Sequence, residues 1–531
     1  MASEPAASSN SGSGFTSLLP SLQVLTQHPI LSLLFLTFLT ISTYALYNAY
    51  LHPLSSYPGP ILWRSFRIPY VLATQRGILH TRLTTFHAHY GPVVRVAPNE
   101  LSYATASALH DIYGNRGPTH LPFERNRTSF KKMTPDEPNS IVGWHEGDHA
   151  RYRRGFAQAF SDRAVREQSA VVEAYVDTFM RELKVRAGRG EVVDLERWIT
   201  YLLFDLSGDL TYGESWRCLE KGAEHPWVAI ASDFGKGLAL IGSINAYPPI
   251  DKLLRYIIPK RILKRSMDHR KMSQVQASKR IYQRGEEERK DWVTPTKKYI
   301  EAKGDAWTEK EWGINLLVVA FAGSETTASA LTAIVRMLLQ NKDVLHRLTE
   351  EIRGKFKKEE DIGVKSTGDL EYLNACVDEG LRLCPPVVIG IPRVVPKGGG
   401  YGGGGTYVTF NQFSAYRQSY NFPSPNDYLP ERFLPPSPTT TIPPANPTIF
   451  HPFQLGRHQC IGQKTAMLEM RLVLARLLWT FDIRLKDEED VWDWGEQATY
   501  ILWDKRALEV VLVRVDGGGG GGGGGGRQRG G

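Results

Sequence analysis

A mainly α-helical chain with one N-terminal transmembrane helix is the fold class the sequence predicts, on three observations. Residues 29–51 run apolar and uncharged. Helical periodicity dominates most of the remaining chain. Pro/Gly-rich irregular stretches concentrate after residue 384. At 531 residues and 42% hydrophobic the chain can bury a large core, and length by itself admits about two to four domains. Cysteines stand at 218, 376, 384 and 460 without a Cys-x-x-Cys spacing, so neither a disulfide framework nor a zinc ribbon is expected. The net charge of +8 suits an anionic membrane surface or an acidic protein partner. No nucleic-acid-binding motif accompanies it, so nucleic acid is not an expected partner.

In chain order, residues 1–28 are rich in Ser, Ala and Gly without Lys or Arg, the composition of a disordered tail. Pro29 to Leu51 exceeds the roughly 20 residues that cross a hydrocarbon core. No basic segment precedes it, which favours an uncleaved anchor over a signal peptide. Arg64 and Arg67 are the first basic residues, and their place after the span puts the tail in the lumen and the body in the cytosol. On that topology the Asn126-Arg127-Thr128 sequon is not glycosylated. Residues 52–62 form a hinge stiffened by Pro58-Gly59-Pro60. At the other end, residues 516–531 are a low-complexity glycine tail.

Thr308 to Glu311 reads as a capping box opening a helix to about Gln340. Its middle, "NLLVVAFAGSETTASALTAIV", is apolar on nearly every face and is expected to be buried. Asn315 and Glu325 make a second membrane span costly. A carboxylate buried at Glu325 needs partners or a function. Read alone, Glu325 and Thr326 fit a satisfied core pair as well as a functional one, and the small Ala322 and Gly323 leave room for something to lie against the helix. Glu379 and Arg382 share one face of a helix ended by Pro385-Pro386, and Arg432 offers a second guanidinium, as in a structural brace. In "FQLGRHQCIG", residues 453–462, Cys460 lies in a loop suited to hold a thiolate. A thiolate that ligates a metal or haem iron needs positive charge and donors, which Arg457, His458 and the backbone N–H groups exposed by Gly456 and Gly462 supply. The other three cysteines sit in apolar helical context and read as packing residues.

In this order the motifs resemble the cytochrome P-450 superfamily of haem-thiolate monooxygenases over about residues 50–515. Phe453, Gly456, Cys460 and Gly462 match its cysteine loop, Ala322 to Thr326 its oxygen-activation helix, and Glu379, Arg382 and Arg432 its E-x-x-R triad. The resemblance implies the P-450 fold, a large helical haem domain with small β-sheets over residues 63–515. It also implies haem b (iron protoporphyrin IX), with Cys460 as axial ligand of the iron and Phe453 screening the sulfur. Glu325 and Thr326 would relay protons to dioxygen, and Ala322 and Gly323 would make room for it. His149, Arg153, Arg393 and His458 would hold the propionates. Phe130, Leu317, Phe321, Val387 to Ile391 and Tyr500 would face substrate.

Three departures stand out: His458 where the family has Arg, His149 where it has Trp, and glycines at 398–400 and 402–405 in place of an apolar hairpin. "LHPLSSYPGP", "DHARYRRGFAQAFSDRAVREQ" and "FDLSGDLTYGESWRCLE" are similar to fungal microsomal members of the isotrichodermin C-15 hydroxylase type. That likeness implies an endoplasmic reticulum monooxygenase that hydroxylates, epoxidises or desaturates a lipophilic secondary metabolite, a terpenoid or polyketide. NADPH-cytochrome P-450 reductase would supply its electrons, with cytochrome b5 as a second donor. Two rival readings are a haem-thiolate isomerase or dehydratase working without O2, and a non-catalytic membrane-anchored haem or sterol carrier. The Glu325-Thr326 pair argues against both.

Overall fold

The computed structural model describes residues 28–515 except 116, 118–120, 129–131, 133–136, 249, 255, 257, 284–287, 398–403 and 436–441. The expected tails at 1–27 and 516–531, Phe130, and the glycines at 398–400 and 402–403 lie outside the described residues.

Helix α1, Pro29–Leu46, begins with proline, which suits a first helical position, and continues as a π-helical turn over Tyr47–Leu51. Its apolar side chains point outward, Ile30 at 74% and Phe38 at 68% exposure, as a lipid-facing helix requires. Its far end is seated on the body: Asn48 and Ala49 are buried. Asn48 Nδ2 donates to the Ser65 carbonyl at 3.1 Å, and Arg95 Nη1 donates to the Asn48 carbonyl at 2.7 Å. The proline hinge is likewise fixed, since Arg95 N–H donates to the Pro58 carbonyl at 2.7 Å.

The body opens with α2 (Ile61–Ser65), α3 (Ile68–Gln75), α4 (Leu79–Tyr90), β1 (Val93–Ala97), β2 (Glu100–Tyr103), α5 (Ala106–Tyr113) and β3 (Glu124–Arg125). There follow α6 (Glu146–Phe156), α7 (Asp162–Gly188), β4 (Val192–Asp194), α8 (Leu195–Tyr212), α9 (Pro226–Asn245), α10 (Lys260–Tyr282) and α11 (Val293–Ala302). The last part holds α12 (Glu309–Gln340), α13 (Lys342–Lys355), α14 (Glu371–Leu383), β5 (Arg393–Val394), β6 (Tyr407–Phe410), α15 (Gln463–Thr480), β7 (Phe481–Leu485), β8 (Thr499–Tyr500), β9 (Leu502–Trp503) and β10 (Glu509–Arg514).

Helix α12 is the axis of the core. Thr308 Oγ1 accepts from Glu311 N–H and the Glu311 carboxylate accepts from Thr308 N–H, completing the expected capping box. Every residue from Thr327 to Leu339 is buried, and the helix as a whole packs against α8, α10, α14 and α15. Each Leu, Ile or Met so covered contributes about 1.5–3 kcal/mol. Burial also decides against a second span, because most of this apolar stretch is covered by protein. Asn315 is satisfied inside: its Oδ1 accepts from Ile141 N–H and its Nδ2 donates to the Glu311 carbonyl.

A five-stranded sheet runs β1-β2-β6-β5-β3, and a three-stranded one β4-β10-β7. The glycine-rich departure does not abolish strand pairing. Arg393 pairs with Val408 and Val394 with Tyr407 across β5 and β6. On the other side of β5, Arg125 of β3 stands directly opposite Arg393.

Candidate active site

The cysteine loop is closed by a hydrogen bond from Cys460 N–H to the Phe453 carbonyl at 2.8 Å. Gly456 has φ 68°, and a Cβ there would fall 2.2 Å from the Tyr113 carbonyl. Only glycine lets the loop lie this close to α5. Cys460 is exposed by area, unlike the buried Cys218, Cys376 and Cys384, yet enough protein surrounds it to push its thiol pKa up. The sulfur thus faces a recess. Against that burial, Gly462 N–H, the Arg153 charge and Gln463 N–H favour the thiolate. The two donors begin α15, where the helix dipole adds to them. The Phe453 ring is half-buried against the core.

Helix α6 clamps this loop from outside. His149 Nδ1 lies 2.6 Å from the Ile141 carbonyl and its Nε2 3.1 Å from the Arg457 carbonyl. Arg153 Nη1 donates to the Gln459 carbonyl at 2.6 Å. The structure therefore engages two of the four expected propionate contacts with loop backbone, because one helical turn brings positions 149 and 153 under the Arg457 and Gln459 carbonyls.

The remaining two sit in a buried cationic patch. Arg393 is 2% exposed, and among the described residues its Nε and Nη1 have no hydrogen-bond partner. Burial lowers its pKa, and neighbouring Arg457 adds to the shift. Arg125, absent from the sequence expectation, is also buried, and its pKa falls to about 9 through burial and then the Arg393 charge. His458 falls to about 3 for the same reasons, burial first and then Arg125 and Arg393. Its Nε2 lies 3.2 Å from Glu146 Oε1, and donation from this nitrogen favours the carboxylate. We read it as a neutral imidazole beside an ionised carboxylate, since Glu146 is held down at about 2 by His458 and Arg457 despite its partial burial. One carboxylate thus faces a surplus of positive charge. Like charges directly opposite in a sheet are destabilising.

Three consecutive residues of α12 point three ways. Thr326 lines the cavity, its Oγ1 donating to the Ala322 carbonyl at 2.7 Å. Glu325 does not line it. Its Oε1 lies 2.9 Å from Lys505 Nζ, and that ammonium also reaches Glu196 at 2.9 Å and Thr200 at 3.2 Å. Burial pushes the Glu325 carboxyl up against the pull of Lys505, which its two carboxylates keep charged. Among the described residues Glu325 Oε2 has no partner. Thr327 is buried on another side. The expectation for Ala322 and Gly323 is half corrected: Ala322 faces the cavity, whereas a Cβ at Gly323 would fall 2.9 Å from the Trp292 ring. Gly323 makes room for tryptophan.

The brace is closed on itself. Arg382 donates to both Glu379 oxygens at 2.6 and 2.8 Å and to the carbonyls of Tyr416, Pro425 and Asp427. Arg432 Nε reaches Glu379 at 3.3 Å and its Nη2 the Ser424 carbonyl at 2.7 Å.

A cavity of about 1630 Å³ lies against α12. Leu317, Phe321, Val387, Ile389, Ile391 and Tyr500 line it as expected, and so do Tyr44 and Tyr47 at the end of the anchor. Residues 53–510 match the family profile described as Cytochrome P450. The chain belongs to the cytochrome P450 family. It is 37% identical over 468 residues to Cytochrome P450 monooxygenase astJ of Aspergillus oryzae, covering 87% of this chain and 92% of that protein. Averantin hydroxylase of Aspergillus parasiticus is 36% identical over 510 residues, with 91% and 97% covered. Trichothecene C-15 hydroxylase of Fusarium sporotrichioides is 34% identical over 476 residues, with 88% and 94% covered.

This cytochrome P450 is accordingly an enzyme of the monooxygenase type, and its family implies a haem-thiolate centre. The residues present fit one. Propionate carboxylates would answer the unmet Arg393 donors and relieve the repulsion between Arg125 and Arg393, and a recessed cysteine with backbone donors and Arg153 suits an anionic iron ligand. Sequence motifs gave no hint of Arg125, Glu146 or Lys505. Strand pairing finds the first, and chain closure brings the last to Glu325 across 180 residues.

Proposed function

We propose that this cytochrome P450 is a membrane-anchored monooxygenase of fungal secondary metabolism that hydroxylates a lipophilic terpenoid or polyketide. The balance is substrate C–H plus O2, NADPH and a proton, giving C–OH, water and NADP+. Electrons reach it through a flavoprotein reductase. The observation that carries the reading is the seat of Cys460, recessed and supplied with N–H donors beside an unmet cationic patch.

Cys460 would hold the haem iron through its thiolate, with Gly462 and Gln463 N–H and Arg153 stabilising the negative sulfur and Phe453 flanking it. Arg393, Arg125 and His458 would hold the propionates, while His149 and Arg153 fix the loop. Haem bound there would supply oxygen-activating iron chemistry, to which the cysteine thiolate would contribute electron density. Thr326 hands on a proton at the cavity wall, for which its hydroxyl must release the Ala322 carbonyl. Glu325 stands behind it as proton reserve, kept from the cavity by Lys505. Ala322 leaves space beside the threonine.

Leu317, Phe321, Val387 and Ile389 in the wall beside Thr326 make the cavity largely apolar, which supports a lipophilic substrate. The names of the averantin and trichothecene hydroxylases support the polyketide and terpenoid classes. Anchor residues in the cavity wall support uptake from the bilayer of the endoplasmic reticulum, with the tail lumenal and the body, residues 63–515, cytosolic. The net charge of +8 supports docking of an acidic reductase domain.

The test is the reduced, carbon-monoxide difference spectrum of membranes carrying the full chain. A red-shifted thiolate Soret band is expected, with Cys460→Ala losing both the band and turnover. A band only at the shorter wavelength of nitrogen-ligated haem would overturn the assignment. Substrate-dependent NADPH consumption separates this reading from an isomerase.

A further inference from the structure

The cavity has two walls of different chemistry. Beside Thr326 it is hydrocarbon, with Leu317, Phe321 and Val387. A second wall is built by Tyr47 at the end of the anchor, Arg67 and Tyr70 at the start of α3, Glu100 of β2, Tyr407 of β6 and Tyr247 after α9. The roles proposed for Cys460 and Thr326 leave this second wall without one.

An ion pair organises it. Arg67 Nη1 donates to Glu100 Oε2 at 2.7 Å, and its Nη2 donates to Asn99 Oδ1 at 2.7 Å. Glu100 is 3% exposed, and burying such a pair is costly unless its surroundings compensate. Two tyrosines do so: Arg67 Cζ lies 5.7 Å from the ring centroids of both Tyr70 and Tyr407, within the range at which a guanidinium is attracted to an aromatic face. Tyr407 is fixed by its backbone as well. It stands opposite Glu100 across β2 and β6, and its N–H donates to the Asn99 carbonyl at 2.9 Å. Elsewhere in the wall, Lys236 pairs with Asp504 and Arg270 with Glu137. The charges are thus answered within the chain, but the phenols are not: among the described residues no hydrogen bond reaches the hydroxyl of Tyr247 or Tyr407.

A saturated hydrocarbon laid on this wall strips water from phenol groups and from an ion pair and returns no hydrogen bond. A flat ring that carries hydroxyls can stack on tyrosine and meet the phenols as donor or acceptor. We propose that the substrate is amphipathic, with a phenolic aromatic head on the wall of Arg67, Glu100 and the tyrosines and an aliphatic part against Leu317, Phe321 and Val387 beside Thr326. Oxygen enters the aliphatic part. One C–H bond breaks, one atom of O2 becomes the new hydroxyl, and the other leaves as water formed with NADPH and a proton. An aromatic polyketide with an alkyl chain meets this description, whereas a terpenoid hydrocarbon does not. The assignment rests on the monooxygenase reading of the same cavity.

The experiment titrates full-length holoprotein in nanodiscs with 5-pentylresorcinol, its dimethyl ether, pentylbenzene and the sesquiterpene hydrocarbon valencene, with the free concentration of each fixed by dialysis. The low- to high-spin shift of the Soret band reports binding. 5-Pentylresorcinol should bind roughly tenfold tighter than its ether or pentylbenzene, the worth of two neutral hydrogen bonds, and should be hydroxylated on the pentyl chain once reductase is added. Tyr247→Phe combined with Tyr407→Phe should bring its Kd to that of the ether. Glu100→Gln, which loosens Arg67 from the wall, should weaken it too. A carbon-monoxide band at the thiolate position in each variant shows that the fold and haem site are intact, and the phenylalanine pair carries the test if Glu100→Gln fails to fold. Equal affinity for the resorcinol and its ether overturns the proposal. So does tighter binding of valencene, absence of any shift with the resorcinol, or a tenfold preference that survives in the phenylalanine pair. Loss of the thiolate band in wild type removes the monooxygenase reading instead, and the amounts of each probe retained in dialysis then judge the wall.

Discussion

Around Glu379 all three guanidinium nitrogens of Arg382 donate to acceptors from the chain itself. Around Arg393, two buried nitrogens have none among the described residues, and the residue facing it across the strand pair is another arginine. Both clusters are buried and both are built on arginine. The first closes its charge balance internally and so serves the fold. The second leaves its balance open, and a buried cation surplus is tolerated only where an anion from outside the chain completes it.

The comparison breaks first at Glu379→Ala. Removing the shared carboxylate leaves two buried guanidiniums facing each other, a loss of about 3–5 kcal/mol. Little folded protein is expected with or without added haem precursor, as measured by yield and denaturant unfolding. A stable variant would show that the brace is not closed in the way described.

Arg393→Ala should do the reverse. The apoprotein is expected to unfold at the same denaturant concentration or higher, because a like-charge strand pair has been relieved. Haem should transfer to apomyoglobin about tenfold faster or more, the worth of one or two charge-assisted hydrogen bonds. Loss of apoprotein stability instead would assign Arg393 to the fold.

The smallest effect is one of pH. Glu146 has its pKa held at about 2, below its ordinary 4.5, by His458 and Arg457. Its contribution to stability is present above about 4.5 and disappears as pH falls through about 2. Glu146→Gln should flatten that part of the acid unfolding curve while shifting stability near neutrality by less than about 1 kcal/mol, as for a partly exposed pair. An unchanged acid limb would remove Glu146 from the patch.

Much of this was legible in the chain. The capping box at Thr308 and the apolar run after it gave the central helix to within a residue, because both signals are local. Cys460 and the Glu379-Arg382-Arg432 set were readable as types at fixed spacing. What the sequence concealed is direction. His149 and Arg153 turn to the loop carbonyls, Gly323 turns to Trp292, and Glu325 turns to Lys505. A residue's position on a helix is set by periodicity, but the neighbour it meets depends on which other elements fold against that face.

By itself the sequence determined the helical class, the apolar N-terminal span, and the cysteine and Glu-Arg motifs, since each depends on residue type and spacing within one element. Tertiary structure decided that Arg125 stands opposite Arg393, that Lys505 closes on Glu325, and that the end of the anchor joins the cavity wall. Those pairings bring together residues far apart in the chain. Long-range packing fixes them, because every buried polar group must find its partner wherever the fold places one.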